Sequence, residues 1–227
     1  KENNLQHKFE YLNKKAGEIA VNAKKRFPHV FVAGGLPPQN LTYEADDRDE
    51  RDIVKNIKDQ ASVLNPYVDF FYFDVWSSIK EVECGIEAIS EFEKPYLIGM
   101  HISEGINLPS GEKISDLNNV INDKVLGVML SCVSPENFEK NLNELKSLGV
   151  PFGFKLNGFI KTKIKDGYTS VFLGKKSNPN EFLGKRKDLT PDKIAEIAKK
   201  FKEAGATILG GCCETSPSHI EAIAKIK

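Results

Sequence analysis

The chain lacks any run approaching the roughly 18 consecutive apolar residues of a membrane-spanning helix, so no membrane association is expected. It also lacks a surplus of either charge. Lys plus Arg and Asp plus Glu both number 32, and this balance excludes the basic footprint of a nucleic-acid binder. No Gly-x-Gly-x-x-Gly and no phosphate-binding loop follows an apolar run, so nothing points to a nucleotide site. The N-terminus is polar and helical in pattern, unlike a secretory leader. Cysteine is scarce as well. Four in 227 residues cannot staple a disulfide scaffold, and together these absences point to a cytoplasmic protein with reduced thiols.

What is present is a 40% hydrophobic composition arranged as alternating strands and helices. Residues 4–27 carry Leu5, Phe9, Leu12, Ala16, Ile19 and Ala23 at helical spacing. Helices are also predicted over 49–64, 78–92, 135–148 and 191–204, with a short one near 115–122 and a last one opening at Ser216-Pro217. Ser134 before Pro135 and Thr190 before Pro191 are N-cap signatures. Between them lie apolar runs at 30–35, 68–76, 95–102, 126–132, 150–156 and 206–209, six strands in all. The alternation predicts βαβ units and a parallel sheet. Residues 157–188 show no period, which in a compact domain marks a functional loop or disorder. No domain boundary is visible. Residues 1–227 therefore read as one domain, and both ends read as cut because the chain opens on a helix and closes inside one.

The chemistry is concentrated in three thiols. Cys132 ends the run 126–132. Cys212 and Cys213 follow Gly210-Gly211 at the end of the last strand. In a (β/α)8 barrel the carboxyl ends of the strands form the reactive face. Three thiolates there would hold zinc and leave its fourth position for a substrate sulfur. Neighbouring side chains of an extended strand point to opposite faces, so Cys212 and Cys213 can share a metal only if the backbone bends, and Gly210-Gly211 is the expected bend. A strained disulfide between the neighbours is the redox alternative. Cys84, on an apolar helix face, reads as a structural cysteine.

Gly210-Gly211-Cys212-Cys213 with Thr215, Pro217, His219 and Ile220, together with Gly127-Val128, Cys132 and Pro135, resembles the signature of the homocysteine S-methyltransferase family. Val32-Ala33-Gly34-Gly35 is similar to the end of that family's third strand, and the region Gly99 to Gly111 is similar to its betaine-homocysteine branch. The resemblance implies a (β/α)8 TIM barrel whose first two strands are missing from this chain. It implies a Zn2+ site of Cys132, Cys212 and Cys213, and amino-acid binding by Gly34, Asp74 and Asn157. It further implies methyl transfer from a small donor to the thiol of homocysteine, giving methionine. The donor would be betaine-like, a sulfonium or a methylfolate–cobalamin system. A homo-oligomer is compatible with it. Asp74 stands where the family has Glu, Ser131 where it has Asn, and Glu214 where it has Gly. The competing expectation is a non-catalytic metal-binding barrel remnant or an inactive family member. His101 would line the pocket, and His219 would be structural.

Overall fold

The computed structural model describes residues 5–161 and 183–226. Six strands form one parallel sheet in sequence order: β1 (Ala33–Leu36), β2 (Phe70–Trp76), β3 (Tyr96–Met100), β4 (Val125–Val133), β5 (Phe152–Leu156) and β6 (Ile208–Gly211). Helices α1 (Phe9–Arg26), α2 (Glu50–Leu64), α3 (Ile79–Ile89), α4 (Pro135–Ser147), α5 (Pro191–Glu203) and α6 (Pro217–Ala224) connect them. A loop with a 3-10 turn at Ile114–Asn119 joins β3 to β4. The result is an α/β fold whose sheet curls into a six-stranded half-barrel. The ion pair between Lys155 on β5 and Asp74 on β2 reports this curl, with Nζ–Oδ distances of 2.7 and 2.9 Å. The two strands lie three places apart, about 14 Å across a flat sheet, beyond the combined reach of these side chains.

The helices begin where the sequence places a capping side chain. Asp49, Ser78, Ser134 and Thr190 each accept a hydrogen bond from a backbone N–H of the first turn. The helices bury one stripe each on the convex face of the sheet. Ile53, Ile57, Ala61 and Leu64 of α2 recur every three or four residues and are all buried. Phe73 stacks on Trp76 and Tyr96, while Phe138, Phe154 and Phe201 meet edge to face. Helix α1 is the exception. Its period is helical as expected, yet Phe9, Leu12 and Ile19 of the apolar stripe are 39%, 47% and 68% exposed. Gly17 is its buried residue, set against the Tyr67 ring, and Lys24 pairs with Asp69 at 2.7 Å.

Several boundaries differ from the sequence expectation. The first strand is Ala33–Leu36 rather than 30–35, and the first helix begins at Phe9 rather than residue 4. The last strand starts at Ile208 rather than 206 and runs through Gly211, so the glycine pair is strand, not bend. The fourth strand continues past Cys132 to Val133 because it contains an irregularity. Most of the aperiodic stretch, 162–182, lies outside the described residues. Its two flanks are held together by an antiparallel bridge between Phe159 and Lys185.

Candidate metal-thiolate site

Two β-bulges shape the concave face. In β2 the register shifts between Phe73 and Trp76, and in β4 between Ser131 and Val133. Each bulge contains a non-glycine residue in the left-handed region: Val75 at φ 68° and Cys132 at φ 54°. An extra residue changes the phase of side-chain alternation. Phe71, Phe73 and Trp76 all join the helix-side core, as do Val128, Leu130 and Val133. Asp74 with Val75, and Ser131 with Cys132, are thereby released as consecutive pairs to the opposite face. For a β-branched residue this conformation is a true outlier, the kind of strain that concentrates at functional sites.

Cys132 Sγ lies 3.7 Å from Cys213 Sγ, and Cys213 Sγ lies 4.0 Å from Cys212 Sγ. All three sulfur atoms fall within 4.8 Å of one another, and all are free thiols. Cys212 and Cys213 share this face because the chain turns immediately after β6. Glu214 adopts φ 63°, and Thr215 N–H and its hydroxyl both donate to Cys212 O, at 3.2 and 2.6 Å. The expectation that Gly210-Gly211 supplies the bend is therefore corrected. Gly211 is required for space, since a Cβ there would collide with the Thr215 hydroxyl.

The surroundings of the thiols are part apolar and part polar. Phe159, Leu183, Tyr43, Val75 and the cysteines form a small apolar cluster separate from the main core. The Tyr43 hydroxyl lies 3.2 Å from Cys132 Sγ. Asn157 is buried beside it: Nδ2 donates to Cys132 O at 2.6 Å, and Oδ1 accepts from Phe159 N–H at 3.2 Å. Gly158 N–H donates to Cys213 O and Cys212 N–H to Leu156 O, which ties both halves of the thiol group to the end of β5. Hydrogen bonds from Cys132 and Cys213, and then the Lys155 charge, hold the Cys212 thiol well below the ordinary range. The same contacts and burial push Cys132 up.

Beside the thiols the concave floor is flat. A Cβ on Gly99 would sit 2.6 Å from Ser131 Oγ, so only glycine leaves room there. The Ser131 hydroxyl bonds the Tyr72 hydroxyl, and Lys155 Nζ stands 5.0 Å from the centre of the Tyr72 ring. Asp74 holds that ammonium through both carboxylate oxygens. Gly34 is buried on β1, and its missing side chain would point at Val68 and Phe71 in the core beneath the sheet, on the helix side. Gly35 instead opens on unoccupied space. The structure thus brings Cys132, Cys212, Cys213 and Asn157 together, sets Asp74 nearby on Lys155, and turns Gly34 away.

His101 is buried and neutral. Its Nδ1 donates to Ser131 O at 3.2 Å, which leaves Nε2 to accept from the Ser103 hydroxyl at 2.6 Å. Burial lowers its pKa to about 4. His219 is used at both nitrogens: Nδ1 accepts from Ser216 N–H and Nε2 donates to Leu189 O, both at 3.0 Å. Glu214 lies 3.6 Å from Lys185. Cys84 is buried in the main core. Two surface hollows lie elsewhere. One of 580 Å³ runs between α5 and α6, and one of 660 Å³ is lined by Glu136, Ile160 and residues 185–188; neither contains a thiol. Sequence reasoning missed Tyr43 and Lys155. Tyr43 sits in an irregular loop and carries no periodic signal. Lys155 was visible only as a charge inside an apolar strand.

The donor chemistry suits a soft or borderline metal. A tetrahedral zinc site with Zn–S bonds of about 2.3 Å has sulfur–sulfur edges of roughly 3.8 Å. Two of the three edges, 3.7 and 4.0 Å, lie close to that spacing, and the third is within 4.8 Å. Fold and site together define an α/β half-barrel protein with a three-thiol cluster at the carboxyl end of its sheet.

A profile described as homocysteine S-methyltransferase matches residues 1–226. The chain belongs to that family. Homocysteine S-methyltransferase 1 of Zea mays is 29% identical over 167 residues, covering 70% of this chain and 46% of the maize protein. The S-methylmethionine–homocysteine S-methyltransferase BHMT2 of Pongo abelii is 27% identical over 233 residues, covering 99% of this chain and 62% of that protein. The chain thus spans about half the length of these curated relatives. The metallated form of the homocysteine methyltransferase MmuM from Escherichia coli shares the fold, with a TM-score of 0.70 and 18% identity over 94% of this chain and 69% of that one. Among the described residues no helix is long and apolar enough to cross a membrane.

Proposed function

We propose that this protein transfers a methyl group from a small donor to the thiol of homocysteine, giving methionine, with zinc held by Cys132, Cys212 and Cys213. The observation that carries the reading is the convergence of three sulfur atoms within 4.8 Å at the carboxyl ends of two parallel strands, in a chain of this family. When bound, zinc supplies the acidity that keeps a coordinated substrate thiol ionised near neutral pH. The chain's own residues do the rest. Asn157 and Gly158 fix the backbone of Cys132 and Cys213. Phe159, Leu183 and Val75 give the sulfur atoms an apolar wall, and Asp74 receives the ammonium of the amino acid. Orienting the sulfur in line with the methyl group is where such a site gains most.

A sulfonium or betaine-like donor fits this reading, and the name of the Pongo relative favours a sulfonium. A methylfolate–cobalamin system is the alternative. We read the six strands as one side of a (β/α)8 barrel forming a single domain, in a reducing cytoplasm that keeps the thiols free. The test is zinc content combined with methyl transfer. One zinc per chain, lost in Cys212→Ser, with methionine formed from homocysteine and S-methylmethionine or betaine, is expected. Metal-free protein with an oxidisable Cys212–Cys213 pair would refute the metal site. Zinc-loaded protein inert toward every such donor would leave a metal-binding remnant.

A further inference from the structure

Lys155 is a charged residue in the middle of an otherwise apolar strand, Phe152–Leu156, and it projects onto the same concave face as the thiols. Gly210 on the neighbouring strand lies alongside its stem, where a Cβ would sit 3.4 Å from Lys155 Cγ. The ammonium crosses the floor made by Gly99, Ser131 and Tyr72 to reach Asp74. Among the described residues both of its hydrogen bonds go to that one carboxylate. An ammonium has three N–H donors, so one remains for a further acceptor. The side chains of Lys155 and Asp74 are 22% and 26% exposed, so a ligand can reach both. A partly exposed ion pair contributes little to stability, and opening it costs correspondingly little.

A fixed cation beside a fixed anion is complementary to a zwitterion. The α-amino-acid head group carries a carboxylate and an ammonium on one carbon, and each would find its opposite here. Resting on the function proposed above, we infer that Lys155 binds the α-carboxylate of the thiol substrate while Asp74 takes its ammonium, so that this pair selects amino-acid thiols over thiols without a carboxylate. The four charges then form an alternating ring, and the net charge of the site is unchanged when the head group arrives. The floor of glycine, serine and a flat tyrosine ring gives the head group a surface without protruding side chains. The alternative for Lys155 is a brace that only holds β2 to β5 across the curl.

The test is equilibrium binding by calorimetry to the full chain loaded with zinc, with zinc content measured on every sample. The probes are homocysteine, 3-aminopropanethiol, which lacks the carboxylate, and 4-mercaptobutanoate, which lacks the amine. The wild-type chain should bind homocysteine ten- to a hundredfold more tightly than 3-aminopropanethiol. Lys155→Met should weaken homocysteine and 4-mercaptobutanoate by a similar factor and leave 3-aminopropanethiol within about twofold, with zinc content unchanged. Lys155→Arg should restore most of the preference. A brace alone would make Lys155→Met weaken all three thiols alike, and that result overturns the inference while leaving the proposed function standing. Zinc-loaded wild-type chain that binds none of the three would overturn both.

Discussion

Asn157 offers the sharpest perturbation of the thiol site, because its Nδ2 bonds the Cys132 backbone and also lies 3.7 Å from Cys132 Sγ without being a metal ligand itself. Its Nδ2 holds Cys132 O at 2.6 Å, and its Oδ1 holds Phe159 N–H at 3.2 Å. The residue is buried. Asn157→Ala leaves one carbonyl and one N–H without partners in a place water does not reach. Each unsatisfied buried group costs about 1–3 kcal/mol, and relaxation recovers some of it, so a loss of about 2–4 kcal/mol is expected. For a chain of this size that corresponds to a fall in Tm of roughly 4–16 °C. Because Cys132 sits in a left-handed bulge, freeing its carbonyl also frees its sulfur. Outer-shell partners of metal ligands typically carry 10–100-fold in affinity. Zinc competition against a chromophoric chelator should show a loss of that order in Asn157→Ala. Asn157→Asp keeps the acceptor for Phe159 but sets a negative charge against the Cys132 carbonyl and three thiols, so its metal loss should exceed its stability loss. A variant Asn157→Ala with wild-type Tm and wild-type zinc affinity would refute the assignment of Asn157 as the residue that positions Cys132.

Two further outcomes follow from buried groups other than the thiols. His101 has a folded pKa of about 4 against an ordinary value near 6.5, so the unfolded chain takes up its proton first as pH falls. Its contribution is present above about pH 6.5 and lost toward pH 4, on the order of 3 kcal/mol in all. Urea denaturation at pH 7 and pH 4.5 should show a steeper loss in wild type than in His101→Gln, and equal slopes would refute the buried neutral imidazole. Gly85 on α3 lies against the Trp76 ring so closely that a Cβ would overlap it. Gly85→Ala should therefore destabilise by about 1–3 kcal/mol despite its better helix propensity. Thermal unfolding followed by the fluorescence of this single tryptophan measures it, and a gain in Tm would refute the contact.

The parts of the fold legible in the sequence are those with a local cause. Helix starts follow from Ser134-Pro135 and Thr190-Pro191, and the six strands follow from apolar runs between polar breaks. The thiol cluster was legible for the same reason. Strand ends are local features, and parallel topology brings them to one edge of the sheet. What was not legible depends on distant partners. The Lys155–Asp74 pair joins residues 81 positions apart, and Tyr43 meets Cys132 across 89. No periodicity records such meetings. The mechanism of the Cys212–Cys213 turn was misplaced because glycine is the ordinary residue for a bend. Here Glu214 takes the positive φ, and the glycines leave space.

The left-handed Val75 and Cys132 also bear on how this protein would respond to selection for robustness. Each non-glycine residue in that region costs on the order of 1–3 kcal/mol. Substituting Val75 by glycine would relieve that penalty, and a library screened only for heat resistance would find it early. The same change would remove a wall of the thiol pocket and let the β2 bulge relax, taking Asp74 with it. Stability and the site would then be pulled in opposite directions by a single codon. Any effort to harden this protein should hold the two bulges constant and look for its gains on α1, where exposed apolar side chains can be replaced without touching the concave face.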